Sequence, residues 1–235
     1  KPSSHFHPVR CAMLIQIYEI TSPEEAAAIS AMGVDHIGVL VGDGSFLREQ
    51  STARAYEIFA GIHSGARRCT LSLLGEVQQI AQIVTALRPD ILHLGAAPDR
   101  LSPADVKELK LGFPALTIMR SIPVFDESSI AIAQAYDGVA DVLLLDSYNP
   151  GDRQIGALGV SHSWDLDRRI VQGVRTPVII AGGLGPENVG AAVAVSHPVG
   201  VDSKTCTDKV DGSHAKDLAK VQAFVRAARA VSVLG

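Results

Sequence analysis

The sequence predicts a closed (β/α)8 barrel, the TIM-barrel class of α/β fold. The length, 235 residues, is close to the roughly 250 residues this fold typically needs. Short β-branched runs alternate with helical patterns eight times, and strict βα alternation calls for parallel pairing with right-handed crossovers. An open doubly wound sheet would carry a glycine fingerprint after its first strand, and Glu19-Ile20-Thr21-Ser22 is not one.

The elements follow in order. Met13 to Ile20 reads as the first strand. Ser22 and Pro23 then open a helix that carries Glu24 and Glu25 at its positive end and stops at Gly33. His36 to Val41 is the second strand and Thr52 to Ile62 its helix. Arg68 to Leu74 pairs with Glu76 to Leu87, Ile91 to Leu94 with Pro103 to Lys110, and Leu116 to Ser121 with Glu127 to Tyr136. Val142 to Asp146 is followed by a long loop and by a helix from Trp164 to Val171. Val178 to Ala181 leads to Pro186 to Val195, and Val199 to Asp202 leads to Ala215 to Ala230. Residues 1–12 are expected to be a flexible leader and 13–235 a single barrel domain. The loop from Ser147 to Ser163, with Gly151, Gly156 and Gly159, has the length of a lid or binding loop.

Composition narrows the function. Hydrophobic residues make up 47%, which excludes a predominantly disordered chain. With 21 Lys+Arg against 25 Asp+Glu, the net charge is −4. The absence of a basic block argues against nucleic acid as a partner. No stretch approaches the ~18 apolar residues of a membrane span. Cys11, Cys69 and Cys206 are scattered and odd in number, so a disulfide framework is not expected and a reducing cytoplasm is the default.

In a barrel, chemistry sits at the C-terminal ends of the strands. Asp146 ends the run Val142-Leu143-Leu144-Leu145. A carboxyl group there is partly desolvated, which suits a general acid; a plain loop-capping Asp is the competing reading. His93, between Leu92 and Leu94, is a candidate base or a core histidine. Tyr18 and Glu19 end the first strand and Asp202 ends the eighth. His36 begins the second strand, at the opposite rim, and reads as structural. Gly182 and Gly183 follow the seventh strand, and Lys204 and Thr205 follow the eighth. That is where barrels bind phosphate, through backbone N–H groups and a helix N-terminus.

Several of these stretches resemble phosphoribosylanthranilate isomerases. Pro177 to Val189 (PVIIAGGLGPENV) is similar to that family's late-barrel signature, and Asp141 to Ser147 (DVLLLDS) to its sixth strand. Gly33 to Val39, Trp164 and the final helix around Lys216-Asp217-Leu218 extend the likeness over nearly the whole chain. The resemblance implies an Amadori rearrangement of a sugar-phosphate amine, in which an Asp protonates the ribose ring oxygen and a Cys takes the C2 proton. Asp146 stands at the acid, Arg48 near a substrate-binding Arg, and Asp202 at an Asp that ends strand eight. Tyr18 stands where the family has its base Cys, and Glu19 where it has glycine. Loss of that Cys implies a different base, His93 or Glu19.

The resulting expectation is an isomerase-like barrel acting on a phosphorylated sugar or sugar derivative. It needs no cofactor and no metal, and a homodimer stays open. The alternatives are a non-catalytic phosphate-ligand-binding protein and a metal-assisted epimerase or isomerase using His93, Asp146, Asp202 and Glu19.

Overall fold

The structure is a computed structural model that describes residues 13–150, 152–156 and 161–234. The expected leader, together with Gly151 and Gly159, lies outside the described residues. Eight parallel strands close into a barrel in sequence order, β1 pairing with β8. The strands are β1 (Leu14–Tyr18), β2 (His36–Leu40), β3 (Arg67–Ser72), β4 (Ile91–Leu94), β5 (Thr117–Val124), β6 (Val142–Ser147), β7 (Val178–Ile180) and β8 (Gly200–Ser203). The helices are α1 (Pro23–Ser30), α2 (Thr52–Phe59), α3 (Val77–Leu87), α4 (Pro103–Gly112), α5 (Ser128–Tyr136), α6 (Trp164–Gly173), α7 (Val189–Ser196) and α8 (Leu218–Leu234).

Strand parity produces two cores. Residues facing outward, such as Ile15, Ile17, Ile37, Leu92, Leu143 and Leu145, pack against the helices. Those facing inward form a compact plug of Tyr18, Cys69, Ile91, Met119, Leu144, Ile179 and Ala181. The plug fills the middle of the barrel, with the rim cavity on one side and His36 on the other. His36 is on the floor, buried, 3.1 Å from Gln16 Oε1. Burial pushes its pKa down to about 4, which keeps it neutral.

Serine caps start four helices. The side chains of Ser22, Ser51, Ser102 and Ser163 accept from the backbone N–H groups of Glu25, Arg54, Asp105 and Leu166. At Ser102 the reciprocal bond, from its backbone N–H to the Asp105 carboxylate, completes a capping box.

Many boundaries move by one to four residues from the sequence expectation, and three of the moves have a visible cause. β5 continues to Val124 because Pro123 and Val124 remain in register with Asp146 and Ser147. α7 starts at Val189 rather than Pro186, since the Asn188 side chain accepts from Gly185 N–H and donates to the Gly183 carbonyl, holding residues 183–188 as a loop. α8 starts at Leu218 rather than Ala215. Lys216 bridges to Asp208, and Asp217 caps the N–H groups of Ala219 and Lys220.

Candidate active site

The pocket at the C-terminal rim is lined by Tyr18, Glu19, Arg48, His93, Ser121, Asp146, Gly182, Gly183, Asp202, Lys204, Thr205 and Cys206, among others. All ten residues expected at the site therefore reach one cavity. They are not equivalent in what they touch.

Asp146 is the last inward residue of β6. The loop after β6 turns back over it. Gly156, whose N–H donates to the Ser147 carbonyl, has φ +88° and sits so close that a Cβ there would lie 1.8 Å from Asp146 Oδ2. The loop is tied down on its far side. Ile155 N–H donates to the Gly95 carbonyl, and Ala97 N–H to that of Arg153. Burial under this loop pushes the Asp146 pKa up to about 6, opposed by the Ser147 N–H and by the charges of His162 and Lys204. Asp202, in register with Gln16 on β1, accepts a 3.0 Å hydrogen bond from Gln16 Nε2. Burial, and then the Asp146 charge, push its pKa up to about 8. Two carboxyl groups on alternate strands thus face one cavity, each protonatable near neutral pH.

A second polar line crosses the barrel at the rim side of the plug, which itself contributes Cys69 and Tyr18. Cys69 Sγ and Tyr18 OH share a hydrogen bond of 2.7 Å, Tyr18 OH lies 2.8 Å from His93 Nδ1, and His93 Nε2 lies 2.7 Å from Ser121 Oγ. Burial holds His93 down at about 3, so its neutral ring donates at one nitrogen and accepts at the other. Burial also raises the Tyr18 phenol well above its ordinary range and the Cys69 thiol to about 12. The Tyr18 ring fits because residue 38 is glycine: a Cβ there would sit 1.9 Å from Tyr18 Cε1. Cys69 and Ser121 were not singled out from the sequence. The signal was available in strand parity, since each is two residues from an inward neighbour, Leu71 and Met119.

Glu19 does something else. Its carboxylate lies 2.7 Å from Lys204 Nζ and 3.0 Å from Arg48 Nε, so it bridges the loops after β8 and β2. Arg48 is held there by a left-handed backbone, φ +72°, unusual outside glycine. After β7, at the expected phosphate loop, Gly182 and Gly183 both have positive φ. A Cβ on Gly182 would collide with His162 Nδ1 and Ser147 Oγ, each at 2.7 Å. His162 in turn lies 2.8 Å from buried Asp167 through Nε2. Thr205 is exposed at the head of a short 3-10 turn, Thr205–Thr207.

The metal-assisted alternative finds no ligand set. Among the described residues no group of three or more His, Cys, Asp or Glu is placed to hold a metal ion. His93 is committed to Tyr18 and Ser121, and Glu19 to two cations. Among the described residues no helix is long and apolar enough to cross a membrane.

Known proteins share this fold. The solved N-(5'-phosphoribosyl)anthranilate isomerase of Pyrococcus furiosus superposes with a TM-score of 0.75 at 24% identity, covering 93% of this chain and 100% of that one. A phosphoribosyl anthranilate isomerase solved in complex with reduced 1-(o-carboxyphenylamino)-1-deoxyribulose 5-phosphate gives 0.74 at 20% identity, over 93% and 99% of the two chains. In sequence, the N-(5'-phosphoribosyl)anthranilate isomerase of Methanocella arvoryzae is 31% identical over 216 residues, 92% of this chain and 97% of the relative. That of Haloferax volcanii is 31% identical over 216 residues, 92% of each. The family described as N-(5'phosphoribosyl)anthranilate (PRA) isomerase matches residues 76–227, which takes in the inward residues of strands four to eight, and by these matches the chain belongs to the N-(5'-phosphoribosyl)anthranilate isomerase family.

Proposed function

We propose that this barrel isomerises a phosphorylated aminosugar derivative from its aldose to its ketose form by general acid–base catalysis. The observation that carries the reading is the pair Asp146 and Asp202. They line one cavity, and their pKa values, about 6 and about 8, leave roughly one proton between them at neutral pH. An aldose-to-ketose shift needs one proton given to the ring oxygen as it opens and one removed from C2. A singly protonated carboxyl pair supplies both an acid and a base. The order of the two values puts the resting proton on Asp202 and leaves Asp146, under the shelter of Gly156, as its ionised partner. The pair acts as one unit, supplying both the acid and the base that the resemblance divides between Asp146 and a Cys at position 18, because Tyr18 and His93 are weak bases tied to each other. The phosphate is held by the backbone at Gly182 and Gly183, by Thr205 and by Lys204, near the N-terminus of α7.

The test is turnover in deuterated water with N-(5'-phosphoribosyl)anthranilate and with related N-substituted 5-phosphoribosylamines, followed by NMR. The expected result is ketose product carrying solvent deuterium at C1, lost in Asp146→Asn and Asp202→Asn while binding persists. Unchanged turnover in both variants would overturn the assignment. A second reading is favoured by Tyr18 alone: a barrel that keeps the phosphate site without the chemistry. It gains if these compounds raise the melting temperature but none is converted.

A further inference from the structure

We infer that Gln16 is a positioning residue for the carboxyl pair: oriented by His36 on the floor of the barrel, its amide holds one oxygen of Asp202 as a permanent acceptor and so reserves the other oxygen for the proton that is exchanged in the reaction. This deepens the function proposed above and rests on it.

Strand register puts three residues side by side. Gln16 on β1 pairs with His36 on β2 and with Asp202 on β8. Gln16 is fully buried, and His36 and Asp202 are buried beside it. Gln16 Nε2 donates to Asp202 Oδ1 at 3.0 Å and lies 3.9 Å from Met119 Sδ on β5, across the barrel. At the other end of the amide, Oε1 lies 3.1 Å from His36 Nδ1. An amide has a sense: its nitrogen donates and its oxygen accepts. An ionised carboxylate only accepts, so the nitrogen end belongs at Asp202 and the oxygen end at His36. His36 must then carry a proton on Nδ1. Burial and the charge of Arg67 keep the ring neutral against the pull of Asp35, so that proton is the only one on the ring.

A neutral donor suits a carboxyl group that must change its charge. Oδ1 accepts from Gln16 whether Asp202 is protonated or ionised, so the bond survives both halves of a proton transfer. Oδ2 is left as the oxygen that gains and loses the proton. The reversed amide would suit a protonated Asp202, but it would turn a carbonyl oxygen toward the carboxylate once the proton has left. His36 prevents that reversal, because an Nδ1–H has no acceptor in an amide nitrogen. Charge also reaches Asp202 through space, from Asp146 on β6, Lys216 before α8 and Lys204 after β8. Asp202 acts in turn on Tyr18 on β1 and Cys69 on β3. Those interactions are not directed at one oxygen, whereas the bond from Gln16 is. That bond also favours the ionised form, against burial and the charge of Asp146.

Two measurements test the role of Gln16. Nitrogen-15 NMR of the wild-type protein should show His36 neutral at neutral pH with its proton on Nδ1; a proton on Nε2 overturns the inference. The second is turnover of N-(5'-phosphoribosyl)anthranilate by Gln16→Met, which keeps a side chain of similar length and removes the amide. It should lose about tenfold or more in kcat with KM within about twofold of wild type. The alkaline limb of its kcat/KM profile should move up by about one pH unit, because ionised Asp202 has lost a donor. A purely structural defect would lower the amount of active enzyme and leave that limb in place. An unmoved limb therefore overturns the inference and leaves the proposed function standing. Absence of wild-type turnover overturns the proposed function and the inference with it. The tautomer of His36 needs no variant, so a poorly folded Gln16→Met would not shield the inference.

Discussion

The fit between Tyr18 and Gly38 gives a quantitative prediction about the position where the family likeness places a cysteine. A Cβ on Gly38 would lie 1.9, 2.0 and 2.6 Å from three atoms of the Tyr18 ring. That ring is 3% exposed and tied at its hydroxyl to Cys69 and His93, so it has nowhere to swing. Ordinary carbon contacts are roughly 3.5–4.0 Å, so Gly38→Ala must displace the ring by more than an ångström, and overpacking of this kind costs about 3 kcal/mol. Tyr18→Cys removes most of a buried aromatic ring and unpairs His93, again at about 3 kcal/mol. Were the two changes independent, the double variant would lose about 6 kcal/mol. Because the alanine methyl enters the space the ring vacates, the double variant should instead lose about 3 kcal/mol, a coupling of about 3 kcal/mol in its favour. Urea denaturation followed by circular dichroism measures all four corners of the cycle. In a chain of this size each single change should also lower Tm by roughly 6–12 °C. Additivity to within ~0.5 kcal/mol would refute the steric account. The cycle has a functional use too, since a double variant that folds as well as either single one supplies a barrel with cysteine at position 18 in which the isomerisation assay can be repeated.

Three further outcomes follow from the same geometry. Asp202 has a folded pKa raised to about 8, so its contribution to stability is complete below its unfolded value near ~4 and is lost as the pH rises toward 8. Relative to wild type, Asp202→Asn should therefore gain up to about 5 kcal/mol between pH 4 and pH 9, read from urea melts across that range; a constant difference would contradict the burial of a titrating carboxyl. Gly156→Ala places a methyl 1.8 Å from Asp146 Oδ2 on a backbone with φ +88°. It should lift the loop, hydrate the carboxyl and shift the Asp146 titration from about 6 toward the ordinary carboxylate range, visible by carbon-13 NMR of that carboxyl. Arg120 is fully buried without a carboxylate partner and donates to the carbonyls of Leu94 and Ala96 at 2.9 and 2.7 Å. Arg120→Met should cost about 3 kcal/mol through the carbonyls left unpaired and speed amide exchange at Ala97 and Ile155, where the loops after β4 and β6 are joined.

The barrel was legible in the sequence because its signal is repeated. Eight runs of apolar residues, each bounded by a serine, proline or glycine with a specific job, leave little freedom in how the chain closes. Where two helix starts moved, side chains hold the preceding residues as a loop, Asn188 before α7 and Lys216 before α8. Site residues lying on strands were legible for the same reason: parity sends His93, Asp146 and Asp202 to the cavity once the rim is known. The loop residues were legible only as candidates. Gly156 stood out as a glycine in a long loop, yet nothing local says that it lies on Asp146, because the contact depends on the loop being fastened to Gly95 and Ala97 across the barrel.

Glu19 shows most clearly where local reasoning stops. As the residue after a strand that ends at Tyr18, it has the position of a catalytic group, and as a carboxylate it has the chemistry of one. Its role is decided by partners 29 and 185 positions away in the chain, Arg48 and Lys204, which arrive on different loops. One of them is held in place by a backbone conformation that side-chain chemistry does not announce. A carboxylate facing an open cavity can accept a proton, whereas one bridging two cations joins the loops that carry them. The same reasoning links the two positions where the sequence resemblance puts other residues. Tyr18 takes up space where the resemblance puts a base, and Glu19 takes up charge where it puts a glycine. Both residues line the same pocket as the carboxyl pair on β6 and β8 to which the proposed proton transfer falls.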